Sequence, residues 1–98
     1  MFFLNLTYLK PVSDVEQHLK EHNAYLEHFY QAGNFIFSGR KEPRTGGVIL
    51  CRAADLSTVE NIYHQDPFYQ KQIARYEVTE FLPTKMIPEF ENIIDNKR

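Results

Sequence analysis

The segment FFLNLTYL, residues 2–9, has apolar side chains at every second position: Phe2, Leu4, Leu6 and Tyr8. This period is typical of a β-strand, and Phe3 and Leu9 give the opposite face apolar character as well. A strand that is apolar on both faces is covered on both sides in a folded protein. The segment therefore predicts a central strand, which Lys10 and Pro11 end.

A helix is predicted after this strand. Ser13 or Asp14 can cap its N-terminus. Its apolar stripe has the helical spacing 4, 3, 4, 3 and consists of Val15, Leu19, His22, Leu26 and Phe29. Gly33 follows as a left-handed C-cap, the position in which glycine is favoured.

The rest of the chain predicts two further strands, a second helix and a last strand. The runs 35–38 and 48–51 are β-rich and flank a polar loop, which indicates a hairpin. Asp55 or Ser57 can cap the second helix, whose predicted buried stripe is Leu56, Val59, Ile62 and Tyr63. A short helical turn over 68–73, a strand over 76–82 and a short helix over 88–94 complete the prediction.

The predicted order β-α-β-β-α-β with a C-terminal helix is the ferredoxin-like α+β plan, in which both helices cover one face of an antiparallel sheet. With 98 residues the chain is the size of one domain, predicted to span 1–98. The two helices leave the second sheet face uncovered. We therefore expect a homodimer that packs sheet against sheet as a dimeric αβ barrel.

Charge and composition argue against several classes of protein. The 11 basic and 13 acidic side chains give a net charge of −2, so no surface is expected to neutralise the phosphates of a nucleic acid. The lone Cys51 rules out an internal disulfide, which fits a reducing compartment. No apolar stretch is long enough to span a bilayer, and the N-terminus lacks the basic leader of a signal peptide. A cytoplasmic protein with no membrane association is expected.

His22 is the most informative polar residue, because it falls on the apolar stripe of the first helix. A polar ring there needs a partner, either as a structural core histidine or as a general acid or base in a cleft. Asp66 precedes Pro67, which holds it in an extended loop position. A carboxylate beside an imidazole fixes one tautomer and stabilises the imidazolium. His22 and Asp66 are therefore the candidate catalytic pair.

The candidate ligand-binding residues lie in the hairpin and among the rings. Ser38, Gly39 and Arg40, with Arg44 further along the loop, combine a hydroxyl, a flexible backbone and two cations. Such a loop suits an anion, although it is not a phosphate-binding motif and as a plain hairpin it needs no function. Three aromatic residues are assigned either to the core or an interface, or to the walls of a pocket for a flat ligand: Tyr25, Phe68 and Tyr76.

The stretch His18-Leu-Lys-Glu-His22 matches the H-x-x-E-H pattern of inverted zinc peptidases, so a hydrolase using His18, Glu21 and His22 is an alternative. Such enzymes need a third, distant ligand and a larger cleft-bearing fold. His18 is more simply a surface residue of the helix. No metal site is expected.

Taken together, several motifs resemble the YciI-like (YCII-domain) family across about the first 82 residues. The matching elements are, in order, His22, Tyr25-Leu26, Gly33, residues 35–39, Gly46-Gly47, Asp66-Pro67-Phe68 and the strand 76–81. The family pattern has a Ser-Gly-Pro-like element after the second strand, and this chain departs from it at Arg40. The resemblance implies a dimeric, ferredoxin-like αβ barrel related to muconolactone-isomerase-type proteins, with His22 and Asp66 as a catalytic or binding pair.

The leading hypothesis is an enzyme of the isomerase or lyase type. In it His22, oriented by Asp66, moves a proton on a small cyclic or aromatic molecule, and no cofactor is required. The alternative is a non-catalytic dimer that binds a small ligand or a partner protein through the same pocket.

Overall fold

The computed structural model describes residues 1–94 and contains four strands and five helices in that range. In chain order these are β1 (Phe2–Tyr8), α1 (Val12–Gln17), α2 (Leu19–Gln31), β2 (Phe35–Arg40), β3 (Gly46–Cys51), α3 (Leu56–Tyr63), α4 (Pro67–Gln70), β4 (Ala74–Glu80) and α5 (Pro88–Glu91). The predicted end of the domain at residue 98 lies outside the described residues.

The strands form one antiparallel sheet in the order β2-β3-β1-β4. β1 is a central strand, as its sequence predicts, and the ferredoxin-like α+β plan is confirmed. Gly46 allows β3 to approach β1 closely, because a Cβ atom there would lie 1.8 Å from the carbonyl oxygen of Leu6. The central pairing of the sheet therefore depends on a residue without a side chain.

The core lies between the helices and one face of this sheet. Phe2, Leu4 and Leu6 are fully buried, and Ile49 and Cys51 of β3 pack beside them. In the register Cys51 lies opposite Phe2 and Ile49 opposite Leu4, so all five side chains point to the same face. Burial of this apolar set is the main stabilising term of such a domain.

The first helical region differs from the prediction. It is two helices, α1 and α2, which meet at His18, where φ is −113° and ψ is 10°. The predicted capping by Ser13 or Asp14 is wrong: Pro11 is the N-cap, and helix α1 begins at Val12. Proline presets φ near the helical value, so the chain enters the helix earlier than a polar cap would place it. Gly33 has φ of +89° and follows α2 as predicted.

The second helical region has the predicted cap and one misassigned residue. The Asp55 carboxylate accepts a hydrogen bond from the Thr58 amide at 2.9 Å. Leu56 is 44% exposed, so its assignment to the buried stripe is wrong. It occupies the first helical position, ahead of the face on which Val59 and Ile62 are buried.

The second face of the sheet is partly covered by the tail. Leu50 points away from the helices and is only 5% exposed. The tail residues Met86, Phe90 and Ile94 lie with it around a cavity and shield it from water. Phe3 and Phe37 on the same face stay 37% and 48% exposed. The tail therefore covers one part of this face and leaves two aromatic rings uncovered. Within the described residues, no helix has the length and apolarity needed to cross a membrane.

Candidate active site

The structure brings His22 and Asp66 together, although 44 positions separate them in the chain. The His22 Nδ1 atom lies 2.8 Å from Asp66 Oδ1, and both residues are buried: His22 is 8% exposed and Asp66 is 0% exposed. Helix α2 supplies the histidine from its buried stripe. The turn before α4 supplies the carboxylate.

Asp66 is positioned by the backbone as well as by side chains. It is the N-cap of α4, where its Oδ1 accepts the Phe68 amide at 2.9 Å and Pro67 occupies the first turn. Its other oxygen, Oδ2, accepts the Tyr76 hydroxyl at 2.5 Å. A distance in this range is typical of a hydroxyl that donates to a charged carboxylate. All three contacts of Asp66 are with donors, which is the arrangement that an ionised, buried carboxylate requires.

These contacts determine which ring nitrogen of His22 is available for chemistry. Since Asp66 Oδ1 acts only as an acceptor, Nδ1 carries the hydrogen, and in the neutral ring Nε2 keeps its lone pair. Nε2 makes no hydrogen bond to another residue within 1–94. Phe68 fixes the plane of the imidazole, because its ring stacks on His22 with centroids 4.0 Å apart and planes 2° from parallel. The imidazole is thus held by one hydrogen bond to Nδ1 and by stacking of one of its faces on Phe68.

His22 and Phe68 line a cleft of about 270 Å³ between α2 and the sheet. Leu19 and Leu26 of α2 form part of its apolar wall, and this explains why these two leucines of the predicted stripe are only half-buried. The remaining lining residues are Leu6, Tyr8, Asn23, Ser38, Gly39, Arg40, Arg44, Gly47, Val48 and Ile49. A cleft of this size suits a small organic molecule.

The predicted ligand-binding residues divide into two groups. Ser38, Gly39 and Arg40 line the cleft with Phe68, and the Ser38 hydroxyl lies 2.6 Å from that of Tyr30. The described lining of the cleft does not include Tyr25 or Tyr76.

The two tyrosines outside the lining lie behind it. Tyr25 packs in the core against Phe29 and Phe35. Tyr76 reaches Asp66 from β4 and stacks on Tyr63 with centroids 4.6 Å apart. Burial raises the pKa of both tyrosine hydroxyls, and the nearby Asp66 charge raises them further. Tyr76 is therefore a protonated donor near neutral pH.

A model of the YCII-related domain matches residues 1–82. The chain belongs to the YCII-related family. The match spans all four strands and both sides of the His22–Asp66 contact. None of the curated proteins compared with this YCII-related domain matches it.

A solved structure has the same fold as this YCII-related domain. It is the 5-chloro-2-hydroxyhydroquinone dehydrochlorinase TftG from Burkholderia phenoliruptrix AC1100, in complex with 2,5-dihydroxybenzoquinone. The TM-score is 0.70 and the sequence identity is 19%, over 84% of this chain and 94% of that one. At this identity the likeness establishes the fold alone.

The described part of the YCII-related domain does not bring His18, Glu21 and His22 together as metal ligands. His18 lies 3.2 Å from Glu21, which also accepts a hydrogen bond from Lys71 at the surface. His22 turns its Nδ1 to Asp66 instead. Residues 1–94 contain no group of three His, Cys, Asp or Glu side chains placed to hold a metal ion.

The sequence alone does not indicate the cleft positions of Tyr8 and Asn23, nor the contact of Tyr76 with Asp66. Alternation along β1 places Tyr8 on the helix side but does not place it at the mouth of a cleft. The sequence identifies Arg44 only as a loop cation, because its place in the lining depends on how the hairpin folds back toward α1.

Proposed function

We propose that this YCII-related protein is an enzyme in which His22, held by Asp66, transfers a proton on a small cyclic or aromatic substrate. The observation that carries the proposal is the engagement of Nδ1 by a buried carboxylate, which leaves Nε2 as the nitrogen for a ligand in the cleft. The reaction class is isomerisation or elimination, both of which begin with removal of a proton next to an electron-withdrawing group.

The proton transfer follows from the tautomer. Neutral His22 accepts a substrate proton on Nε2 and becomes an imidazolium, and the substrate keeps the electron pair as a conjugated carbanion or enolate. The Asp66 carboxylate stabilises the imidazolium without taking its proton. In an isomerisation His22 returns the proton to another atom of the substrate. In an elimination the electron pair forms a double bond and expels the leaving group, and His22 later loses its proton to water.

The cleft has the chemistry for such a substrate. Leu19, Leu26 and Phe68 offer an apolar surface to a ring, whereas Ser38 and Asn23 offer hydrogen bonds to its oxygen atoms. A protein of the same fold is named as a dehydrochlorinase of a chlorinated hydroxyhydroquinone and binds a dihydroxybenzoquinone. This supports a small oxygenated ring as the substrate class.

The protein is proposed to act as a homodimer. The tail covers Leu50, but the exposed rings of Phe3 and Phe37 remain on the face of the sheet opposite the helices. A second copy that packs on this face would remove both rings from water.

Substituted hydroquinones and hydroxylated cyclic ketones, incubated with the protein in D₂O, test the proposal. NMR would report exchange of ring C–H for C–D and chloride analysis would report elimination. We expect His22→Ala to lower the rate by about 10²–10⁴-fold, the usual contribution of a general base. Asp66→Asn should impair the reaction by disturbing the tautomer of His22.

His28→Ala is the matched control, because His28 is an exposed histidine on the same helix. It should keep the wild-type rate. Full turnover in His22→Ala would contradict the role of His22. A wild-type protein that binds these rings but neither exchanges a proton nor releases chloride would show that the cleft is a binding site without catalysis.

A further inference from the structure

The lining of the cleft has an unbalanced charge. It includes two arginines, Arg40 and Arg44, and within residues 1–94 no aspartate or glutamate lines it. Asp66 lies behind the imidazole of His22 and is fully buried. Its carboxylate already accepts hydrogen bonds from three donors. Glu16, which pairs with Arg44, is not among the lining residues, so an uncharged ligand would leave the two arginines without an anion inside the cleft. The cleft thus has a positive end.

Arg44 is only partly used by the protein. Its Nη1 donates to Glu16 Oε2 at 3.3 Å, and the Glu16 side chain is 60% exposed, so this ion pair is weak. Its Nε is buried and has no hydrogen-bond partner among the described residues. A buried donor without an acceptor is unfavourable. A small movement of the guanidinium toward an anion in the cleft would give this donor a partner.

Arg40 faces the same space from β2. It lies opposite Gly47 of β3, two positions after Ser38, which lies opposite Ile49. Because residues two apart in a strand share a face, Arg40 and Ser38 both face the side of the sheet that carries the helices. Within the described chain Arg40 makes no ion pair and no side-chain hydrogen bond, so its donors are available to a ligand.

We propose that the ligand of this cleft is a cyclic or aromatic carboxylate. Its carboxylate lies between Arg40 and Arg44, and its ring lies along Phe68 with the reacting carbon near His22 Nε2. The planar guanidinium presents pairs of parallel N–H groups that match the two carboxylate oxygens. This inference rests on the proposed function for the position of the reacting carbon, and it adds the chemical class of the substrate.

Benzoate and benzamide are suitable probes, because they have nearly the same shape and differ in charge. Calorimetric titration of the wild type should give at least about tenfold tighter binding of benzoate, the contribution expected from one charge-assisted hydrogen bond. Arg40→Gln and Arg44→Gln should each weaken benzoate binding by about tenfold and leave benzamide unchanged. Arg75→Gln removes an exposed cation of β4 outside the cleft and should change neither affinity.

Three outcomes would overturn the inference. They are equal affinity for the two probes, no binding of benzoate at millimolar concentration, and the same loss of benzoate affinity in all three arginine variants. Circular dichroism of each variant checks that it is folded. His22→Gln separates this inference from the proposed function, since benzoate should still bind to it although turnover is lost. If His22→Gln abolished benzoate binding while the arginine variants kept it, the imidazole would be the anion site and the inference would be wrong.

Discussion

The contact between the Tyr76 hydroxyl and Asp66 provides a direct test of how the His22–Asp66 pair is held. Tyr76→Phe removes one oxygen atom and keeps the ring, which stacks on Tyr63 with planes 14° apart. The variant therefore isolates the 2.5 Å hydrogen bond to Asp66 Oδ2. After the substitution Oδ2 would be a charged acceptor, fully buried, with no donor from this side.

The expected loss of stability follows from these conditions. A hydrogen bond to a charged group contributes about 1.5–3 kcal/mol, and a buried acceptor left without a partner places the loss at the upper end. We expect Tyr76→Phe to lower the free energy of unfolding by about 2–3 kcal/mol. For a domain of this size that corresponds to a fall in Tm of roughly 10–20 °C.

Urea denaturation followed by circular dichroism measures this loss, provided that the m-value matches that of the wild type. Tyr63→Phe is the matched control, because it removes a tyrosine hydroxyl from the other ring of the same stack. It should stay within about 0.5 kcal/mol of the wild type, as substitutions away from buried polar contacts do. A Tyr76→Phe variant as stable as Tyr63→Phe would show that the hydrogen bond from Tyr76 to Asp66 does not stabilise the fold.

Three further predictions concern pH, reactivity and assembly. Burial raises the pKa of Tyr25 and Tyr76 in the folded state, so their contribution to stability is fully present below about pH 10, the unfolded value, and is lost as the pH rises above it. The free energy of unfolding, measured by urea titration, should therefore fall above about pH 10 by up to about 1.4 kcal/mol per pH unit for each group. A flat profile up to about pH 11.5 would contradict this. Burial raises the pKa of Cys51 to about 11, so a thiol-specific disulfide reagent at pH 8 should react with Cys51 only as fast as the protein opens. Labelling at the rate of a free thiol would show that Cys51 is exposed. Light scattering at micromolar concentration should give twice the 11.6 kDa chain mass, whereas a monomer that binds no hydrophobic dye would show that Phe3 and Phe37 are covered within one chain.

The order of the elements could be predicted because each one has a local signal. Period-two apolar residues in 2–9 indicate a strand wherever it lies, and the spacing of Val15, His22 and Phe29 indicates a helix. At the start of the first helix two local signals compete, and the fixed φ of Pro11 prevails over the polar caps. The polar caps Ser13 and Asp14 were available, yet the helix begins directly after Pro11.

The site was only partly predictable, for a related reason. A polar ring on an apolar stripe and a carboxylate fixed before a proline mark His22 and Asp66 separately. Their distance depends on how α2 packs over α4, which no local pattern reports. The role of Tyr76 depends on the register between β1 and β4, where Tyr76 lies opposite Leu6. A change of register by one residue would turn its hydroxyl to the other face.

One carboxylate oxygen, Asp66 Oδ1, serves both the start of a helix and the proposed base. Two requirements, the helix N-cap and the contact with His22, therefore constrain the residue at position 66 through the same atom. Aspartate and asparagine both satisfy the helix start, since both are good N-caps, but only the charged form balances an imidazolium. A descendant that lost the chemistry would still be held to a small set of capping residues at this position. An aspartate at this position in a relative therefore does not by itself show that the relative is catalytic, whereas an asparagine there would indicate that the fold was kept after the charge was no longer needed.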